Sequence, residues 1–549
     1  MSSRKPESFV RGAMILSLAA LVSRLLGALY KPLIARIFAP FDGHRGAVGI
    51  GLTQVPLSAY QVILSFTSVG LNVGISKLVS ERLALGDIAG AKRVFRSSLT
   101  LMTGLGLLAA LGLWFGAPWL AALISPDLLE TVPGFRAMAP AILITSIMAA
   151  YRGLFQGFQQ MTPNALSQII EQVVRVGSGA LLTWLLVRVS VPTGAVGFNL
   201  GDVIGALAGL TYMLILARRA GRELWAAPHM EEAATQEDGE LRAARVKPLP
   251  DGWRLVRRIL GVAGPITIIG AVVPLMMMAD TFFVFRALEE AGTRGPEAKA
   301  LYGQLSNVFM IVNLPAVFST ALYTSILPAV SAAMALGQQE QARRKATQAY
   351  RLTFLLAVPA QAGLYAVAAG IYALLFDDLA GGAVMEAISW AAVPIMLQQT
   401  TSGVLQGIGK ISIPLRNFLL GLLLKVGLTA YLTVEYGING AAWATAAGFG
   451  LAALLNLISV ERHLGRTFMT RSMLFKPVVA ALGMVGGIRL LQPYLPATGW
   501  ATILQIGAGA MVYGLAILLV RGVSRRDVEM LPKLGRPLAA ILGRARLLR

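Results

Sequence analysis

The chain has 549 residues, 56% of them hydrophobic and 14% charged, with a mean hydropathy of +0.67. That balance excludes an ordinary soluble domain and points to an all-α polytopic membrane protein. The formal net charge of +21 does not indicate nucleic acid, because most basic residues sit in short loops between apolar runs; with no Cys and only His44, His229 and His463, a thiolate or histidine metal centre is not expected.

Runs long enough to cross the hydrocarbon core of a bilayer (about 30 Å) number about fourteen. They fall at 12–38, 47–76, 97–124, 136–157, 163–188, 193–217, 258–285, 302–333, 351–376, 385–408, 412–434, 438–460, 473–491 and 500–521. The first is too long for a signal peptide and is followed by no small-residue cleavage site, so it is expected to be retained. It contains Arg24, Lys31 and Arg36. A cation near the bilayer centre costs roughly 2.5–3.5 kcal/mol on insertion scales, so such residues normally face a wet cavity or an opposite charge. Arg24 and Lys31 are two helical turns apart and share a stripe with Ser17 and Gly27. Arg24 is too deep to snorkel, whereas Arg36 sits nearer the end of the run and suits an interfacial anchor.

Lys77, Glu81, Arg82 and Arg93 follow the second run; they read as a solvated cytoplasmic face, with Lys77 and Arg82 as a basic mouth for anionic head groups. Arg152 lies deep in the fourth run. In the fifth, Asn164, Gln168, Glu171 and Arg175 recur at spacings of 4, 3 and 4, which makes one polar helix face. Glu171 and Arg175 can bond across one turn, either simply neutralising each other or acting as a coupling switch. Asp280 follows three methionines and Pro274, which can open a helix; it is a candidate for cation or proton coupling, or for a pair with Arg24.

Alternate loops are basic: Lys77 to Arg96, then Arg218, Arg219 and Arg222, then Arg343 to Lys345, then Arg462 to Lys476. The others carry Asp127, Glu130, Asp377, Asp378 and Glu435. The bias predicts that both termini are cytoplasmic.

The sequence also repeats. VSERLALGDIAGAKR at 79–93 matches VSAAMALGQQEQARR at 330–344 at seven of fifteen positions. Residues 151–177 align with 401–427, with Gly153, Gln156, Gly157, Val176 and Gly177 recurring. Lys425 stands in Arg175's place and Gly421 in Glu171's, so Lys425 keeps the cation without the local acid, favouring a ligand partner. Two parallel six-helix lobes follow, at 1–217 and 258–466. A charged cytoplasmic linker spans 218–257, two additional helices lie at 467–521, and a basic tail at 522–549 is expected to meet anionic lipid.

Several segments carry a resemblance. SRLLGALYKPLIARIF resembles the opening helix of flippases in the multidrug/oligosaccharidyl-lipid/polysaccharide exporter superfamily. MMMADTFFVFRAL and YGQLSNVFMIVNLPAVFSTALYTSILPAVSAAMALG are similar to their seventh and eighth helices. The nearest subgroup is the polysaccharide-biosynthesis and sporulation type, close to the lipid II flippases, over roughly residues 10–520. The resemblance implies two six-helix lobes in a V around a central cavity, with two further helices beside a groove for a polyprenyl tail. Arg24 corresponds to the family's cavity arginine. Lipid II flippases often continue with Arg-Asp where this chain has Tyr30 and Lys31, so Lys31 replaces an acid with a base.

The expected function is therefore a flippase moving a polyprenyl-diphosphate-linked oligosaccharide across a bacterial cytoplasmic membrane by alternating access. Arg24, Lys31, Arg152, Arg175 and Lys425 are its candidate substrate-binding residues, and Glu171 and Asp280 its coupling charges. No cofactor is expected; a coupling Na+ or H+, or the membrane potential, would drive a chain expected to be monomeric. A cation-coupled exporter of drugs or metabolites on the same scaffold is the competitor, and it predicts acids and aromatics in the cavity. A membrane glycosyltransferase is a weaker reading, because the chain has no HExxH, phosphate loop or nucleophile elbow.

Overall fold

The computed structural model describes residues 9–225, 252–467, 471–495 and 499–523, and no strand occurs among them. The contacts divide the chain into two compact units, with the boundary between Phe282 and Phe283.

The first unit contains α1 (Phe9–Asp42), α2 (Ala47–Leu64), a π turn at Ser65–Val69 and α3 (Gly70–Ala84). They are followed by α4 (Ile88–Ile124), α5 (Val132–Gly157), α6 (Thr162–Leu186), α7 (Val191–Trp225), α8 (Trp253–Gly270) and the start of α9 (Val272–Glu290). Its core joins Ile75 and Val79 of α3, Val94 and Met102 of α4, Met148 and Phe155 of α5, Met213 of α7 and Ile259 of α8. Although the repeat aligns α8 with the first helix, α8 packs on α3 of the first unit. Gly70 and Gly74 allow this: a Cβ on Gly70 would lie 2.4 Å from the Thr267 backbone nitrogen.

The second unit continues through α10 (Gly295–Val312), α11 (Ala316–Ala335), α12 (Gln339–Ala366), α13 (Ala368–Phe376), α14 (Gly382–Ser389), α15 (Ala392–Gly407), α16 (Ser412–Tyr436) and α17 (Ile438–Leu464). Its core joins Val330 of α11, Tyr350 and Phe354 of α12, Val404 of α15 and Val460 of α17. Two last helices, α18 (Lys476–Leu491) and α19 (Gly499–Leu519), pack on each other and on α12. The Tyr513 hydroxyl donates to the Leu355 carbonyl at 2.9 Å.

The duplication read from the sequence recurs in the backbone. Helix α6 at 162–186 is matched by α16 at 412–436, and α2 at 47–64 by α10 at 295–312. Left-handed residues recur as well: Gly43 with Gly292, Gly86 with Gly337, and Gln159 with Gly409. These are the helix-ending positions where a positive φ reverses the chain.

All fourteen apolar runs fall on helix, but not as fourteen single spans. Among the described residues, ten helices are long and apolar enough to cross a membrane, or eleven counting α12 and α13, which meet at 75°. The run 258–285 breaks at Ala271, three residues before Pro274, and 302–333 breaks at Asn313–Pro315. Proline donates no N–H and is accommodated where a helix begins, and each of these two stands at the start of the helix after the break. The run 385–408 is likewise two helices, α14 and α15. Large apolar side chains on the outside, Phe115 at 75% and Leu482 at 65% exposure among them, suit contact with lipid rather than water. Of the expected linker, 226–251 lie outside the described residues, as do 524–549 of the expected tail.

Candidate functional site

Helix α7 carries Gly197, Gly201, Gly205 and Gly209 at every fourth position, hence on one face. A Cβ on Gly201 would stand 2.6 Å from the Gly179 Cα and 2.9 Å from the Arg175 carbonyl oxygen. One on Gly205 would stand 2.7 Å from the Glu171 carbonyl oxygen. Helices α6 and α7 therefore touch backbone to backbone, which sets Asp202 of α7 beside Arg175 of α6.

Four charged side chains from α5, α6 and α7 form a continuous chain at this contact. The Arg152 Nη2 donates to Glu171 Oε2 at 2.8 Å, and its Nε donates to Ser167 Oγ at 2.9 Å. Arg175 Nη2 donates to the other Glu171 oxygen, Oε1. Arg175 Nε lies 3.0 Å from Asp202 Oδ1. Asn164 closes the end of the chain by donating to the Arg152 carbonyl at 3.0 Å. Two cations and two anions alternate, so the group is neutral as a whole. Asp202 is only 4% exposed and Glu171 12%, while Arg175 keeps 27% of its side chain open. Removing any one member leaves an uncompensated charge in a low-dielectric interior. Beside it, the Tyr30 ring stacks on Phe198 at 4.9 Å, and its hydroxyl lies over Gly179, where any Cβ would collide with it.

The structure thus brings together three candidates, Arg152, Glu171 and Arg175, and adds Asp202. Asp202 was not singled out in the sequence, although a lone acid inside the sixth apolar run is the signal that would have found it. Lys31 is elsewhere: its Nζ donates to Gln54 Oε1 of α2 at 3.0 Å. Arg24 lies on α1 with its side chain outside the described residues. Asp280 is buried on α9, next to Thr281, whose hydroxyl donates to Ser58 Oγ at 2.9 Å.

Lys77 is exposed. Arg82 is not: it is buried, and its Nη1 donates to Asp87 Oδ2 at 3.1 Å, while Asp87 Oδ1 accepts from the Gly90 N–H at 2.7 Å and caps α4. The expected cationic surface at Arg82 is a turn lock instead, because the chain reverses at Gly86 and brings the acid back onto it.

In the second unit amides and hydroxyls join the equivalent helices, and a buried cation is kept beside them. Lys425, at Arg175's place, is buried between α16 and α17. A Cβ on Gly421 would meet the Gly448 carbonyl oxygen at 2.4 Å, so a glutamate like Glu171 has no room there. Ser402, at Arg152's place, accepts from Asn456 Nδ2 at 3.2 Å; Asn417 donates to Asn456 Oδ1 at 3.0 Å. In the first unit ion pairs join these helices; in the second, amides and hydroxyls join helices that also carry the buried Lys425.

Residues 9–334 match the sequence profile of the family described as polysaccharide biosynthesis protein. Over 542 residues the chain is 26% identical to stage V sporulation protein B of Bacillus subtilis (strain 168), covering 96% of this chain and 99% of that one. It is 25% identical over 509 residues to the lipid II flippase MurJ of the same organism, covering 88% and 89%. A solved structure of the lipid II flippase MurJ in an inward closed conformation aligns with a TM-score of 0.66 at 15% identity, over 92% of this chain and 98% of that one. An inward-facing multidrug resistance MATE family transporter of the MOP superfamily aligns at 0.61 and 16%, over 83% and 98%. At these identities the structural likeness establishes the fold alone.

Proposed function

The chain belongs to the polysaccharide biosynthesis protein family, and from that premise we propose that it is a membrane flippase for a polyprenyl-diphosphate-linked sugar precursor, lipid II or a related cell-wall precursor. One observation supports the reading most: Arg152 and Arg175 are held inside membrane helices by the acids Glu171 and Asp202, in a chain that aligns along most of its length with a lipid II flippase. A guanidinium binds phosphate oxygens as it binds a carboxylate, through two parallel N–H donors. The diphosphate therefore competes with Glu171 for its two arginines, and an arriving anion frees the acid.

In this account Lys31, Lys425 and Arg24 are further cations for the headgroup, and the termini lie on the cytoplasmic side. The cycle is alternating access, driven by a coupled Na+ or H+ or by the membrane potential. Moving one elementary charge across 100 mV supplies about 2.3 kcal/mol. No catalytic residue is needed, since the substrate changes leaflet and not covalent structure.

The test in cells is complementation. The wild-type chain is expected to restore growth to a bacterium depleted of its lipid II flippase, and Arg152→Ala to fail at equal membrane expression. A well-expressed wild type that does not rescue growth removes lipid II as the substrate; an Arg152→Ala variant that rescues fully removes the ion chain from the binding site.

A further inference from the structure

The second unit carries a neutral polar stripe that the charge-based reading leaves unused. On α15, Gln399, Gly403 and Gln406 lie on one face, the two glutamines about 10 Å apart along the axis. On the facing helix α11, the Ser319 and Thr320 hydroxyls donate to Gln399 Oε1 at 2.6 and 3.3 Å, and the Tyr323 hydroxyl donates to Gln406 Oε1 at 2.7 Å. Tyr323 lies over Gly403, where a Cβ would meet its Cδ2 at 2.9 Å. Tyr323, Gln399 and Gln406 are each only partly buried. Each glutamine's oxygen accepts from these hydroxyls, so its amide NH2 is the group left for a further partner.

Helix packing alone does not account for the stripe. The repeat offers an internal control, because α3 and α5 of the first unit make the same contact: Gly153 sits where a Cβ would meet the Asn72 carbonyl oxygen at 2.8 Å. There Gln406's counterpart is also a glutamine, Gln156, but Gln399's is Ala149 and Tyr323's is Asn72, so the helices pack without Gln399's amide or the ring. Open amide NH2 groups are also costly against hydrocarbon, which leaves water or a polar ligand as their partner. Carbohydrate fits this surface. Hydroxyl and acetamido groups take the amide donors, the C–H face of a sugar ring packs on the tyrosine, and the spacing suits one or two rings. No charge is present in the stripe to demand an ionic ligand.

We propose that the Gln399–Tyr323–Gln406 stripe recognises the sugar of the lipid-linked substrate. The proposal rests on the flippase reading and assigns its specificity. It is tested with purified full-length protein in nanodiscs and two probes: undecaprenyl diphosphate, and undecaprenyl diphosphate carrying an N-acetylhexosamine disaccharide. The Gln399→Leu/Gln406→Leu variant is expected to bind the disaccharide lipid about tenfold more weakly, the worth of one to two hydrogen bonds. Binding of the sugar-free lipid should change by less than about twofold on the same scale. Equal loss for both lipids, or binding of neither, assigns the stripe to helix packing and overturns the proposal; an unchanged preference for the disaccharide lipid overturns it too. A wild type that binds neither probe removes the flippase reading itself, and the sugar site with it.

Discussion

Replacing Glu171 by Gln is expected to destabilise the protein by about 3–5 kcal/mol and to abolish transport, because it leaves two guanidiniums sharing one remaining acid inside the membrane. Glu171 bonds Arg152 with one oxygen and Arg175 with the other, and its side chain is 12% exposed. A neutral amide keeps the shape but supplies only one acceptor, so one arginine loses its partner and the cluster becomes a net cation. Thermal unfolding in detergent measures the first effect. The Arg152→Gln/Glu171→Gln double variant should regain part of the lost stability, since it removes the surplus charge, and should remain inactive. An unchanged unfolding temperature for Glu171→Gln would mean that water or another group already balances these arginines.

The second large effect concerns geometry. Gly201→Leu should prevent α6 and α7 from closing, because the new side chain would start 2.6 Å from the Gly179 Cα and 2.9 Å from the Arg175 carbonyl oxygen. Overpacking a core of side chains typically costs about 1–3 kcal/mol, but here the obstacle is backbone and cannot rotate away. The expected result is protein that is not recovered folded from membranes. Gly104 of α4 has open space around its Cβ direction, so Gly104→Leu should be tolerated in the same expression trial. Similar yields of folded protein from both variants would contradict the backbone contact.

Much of this fold was legible before any coordinates, because burial in lipid writes long apolar runs and a duplication writes paired motifs. The residues that escaped show where one-dimensional reading stops. Glu171 and Arg175 were visible as partners since they share one helix face, one turn apart. Arg152 and Asp202 reach the same cluster from α5 and α7, and only the glycine ladder of α7 sets which turn of one helix meets which turn of another. Arg82 was read as part of a basic surface because sequence spacing does not show that the turn at Gly86 returns Asp87 to it. The helix breaks near Pro274 and Pro315 were similarly hidden: proline marks where a helix can break, and packing decides whether it does. Lys425 was noticed as a cation without its acid, and the reason lies in three dimensions, where Gly421 touches the opposite backbone.

The central claim is that this chain carries a diphosphate-linked sugar lipid between leaflets. It is tested most directly by reconstituting the pure protein in vesicles with a fluorescent polyprenyl-diphosphate-linked sugar and following loss of the label to a membrane-impermeant quencher. The account predicts protein-dependent translocation by the wild type and none by Arg175→Gln at equal incorporation. Wild-type vesicles that flip no faster than empty ones, with and without an imposed potential, Na+ gradient or pH gradient, would contradict it.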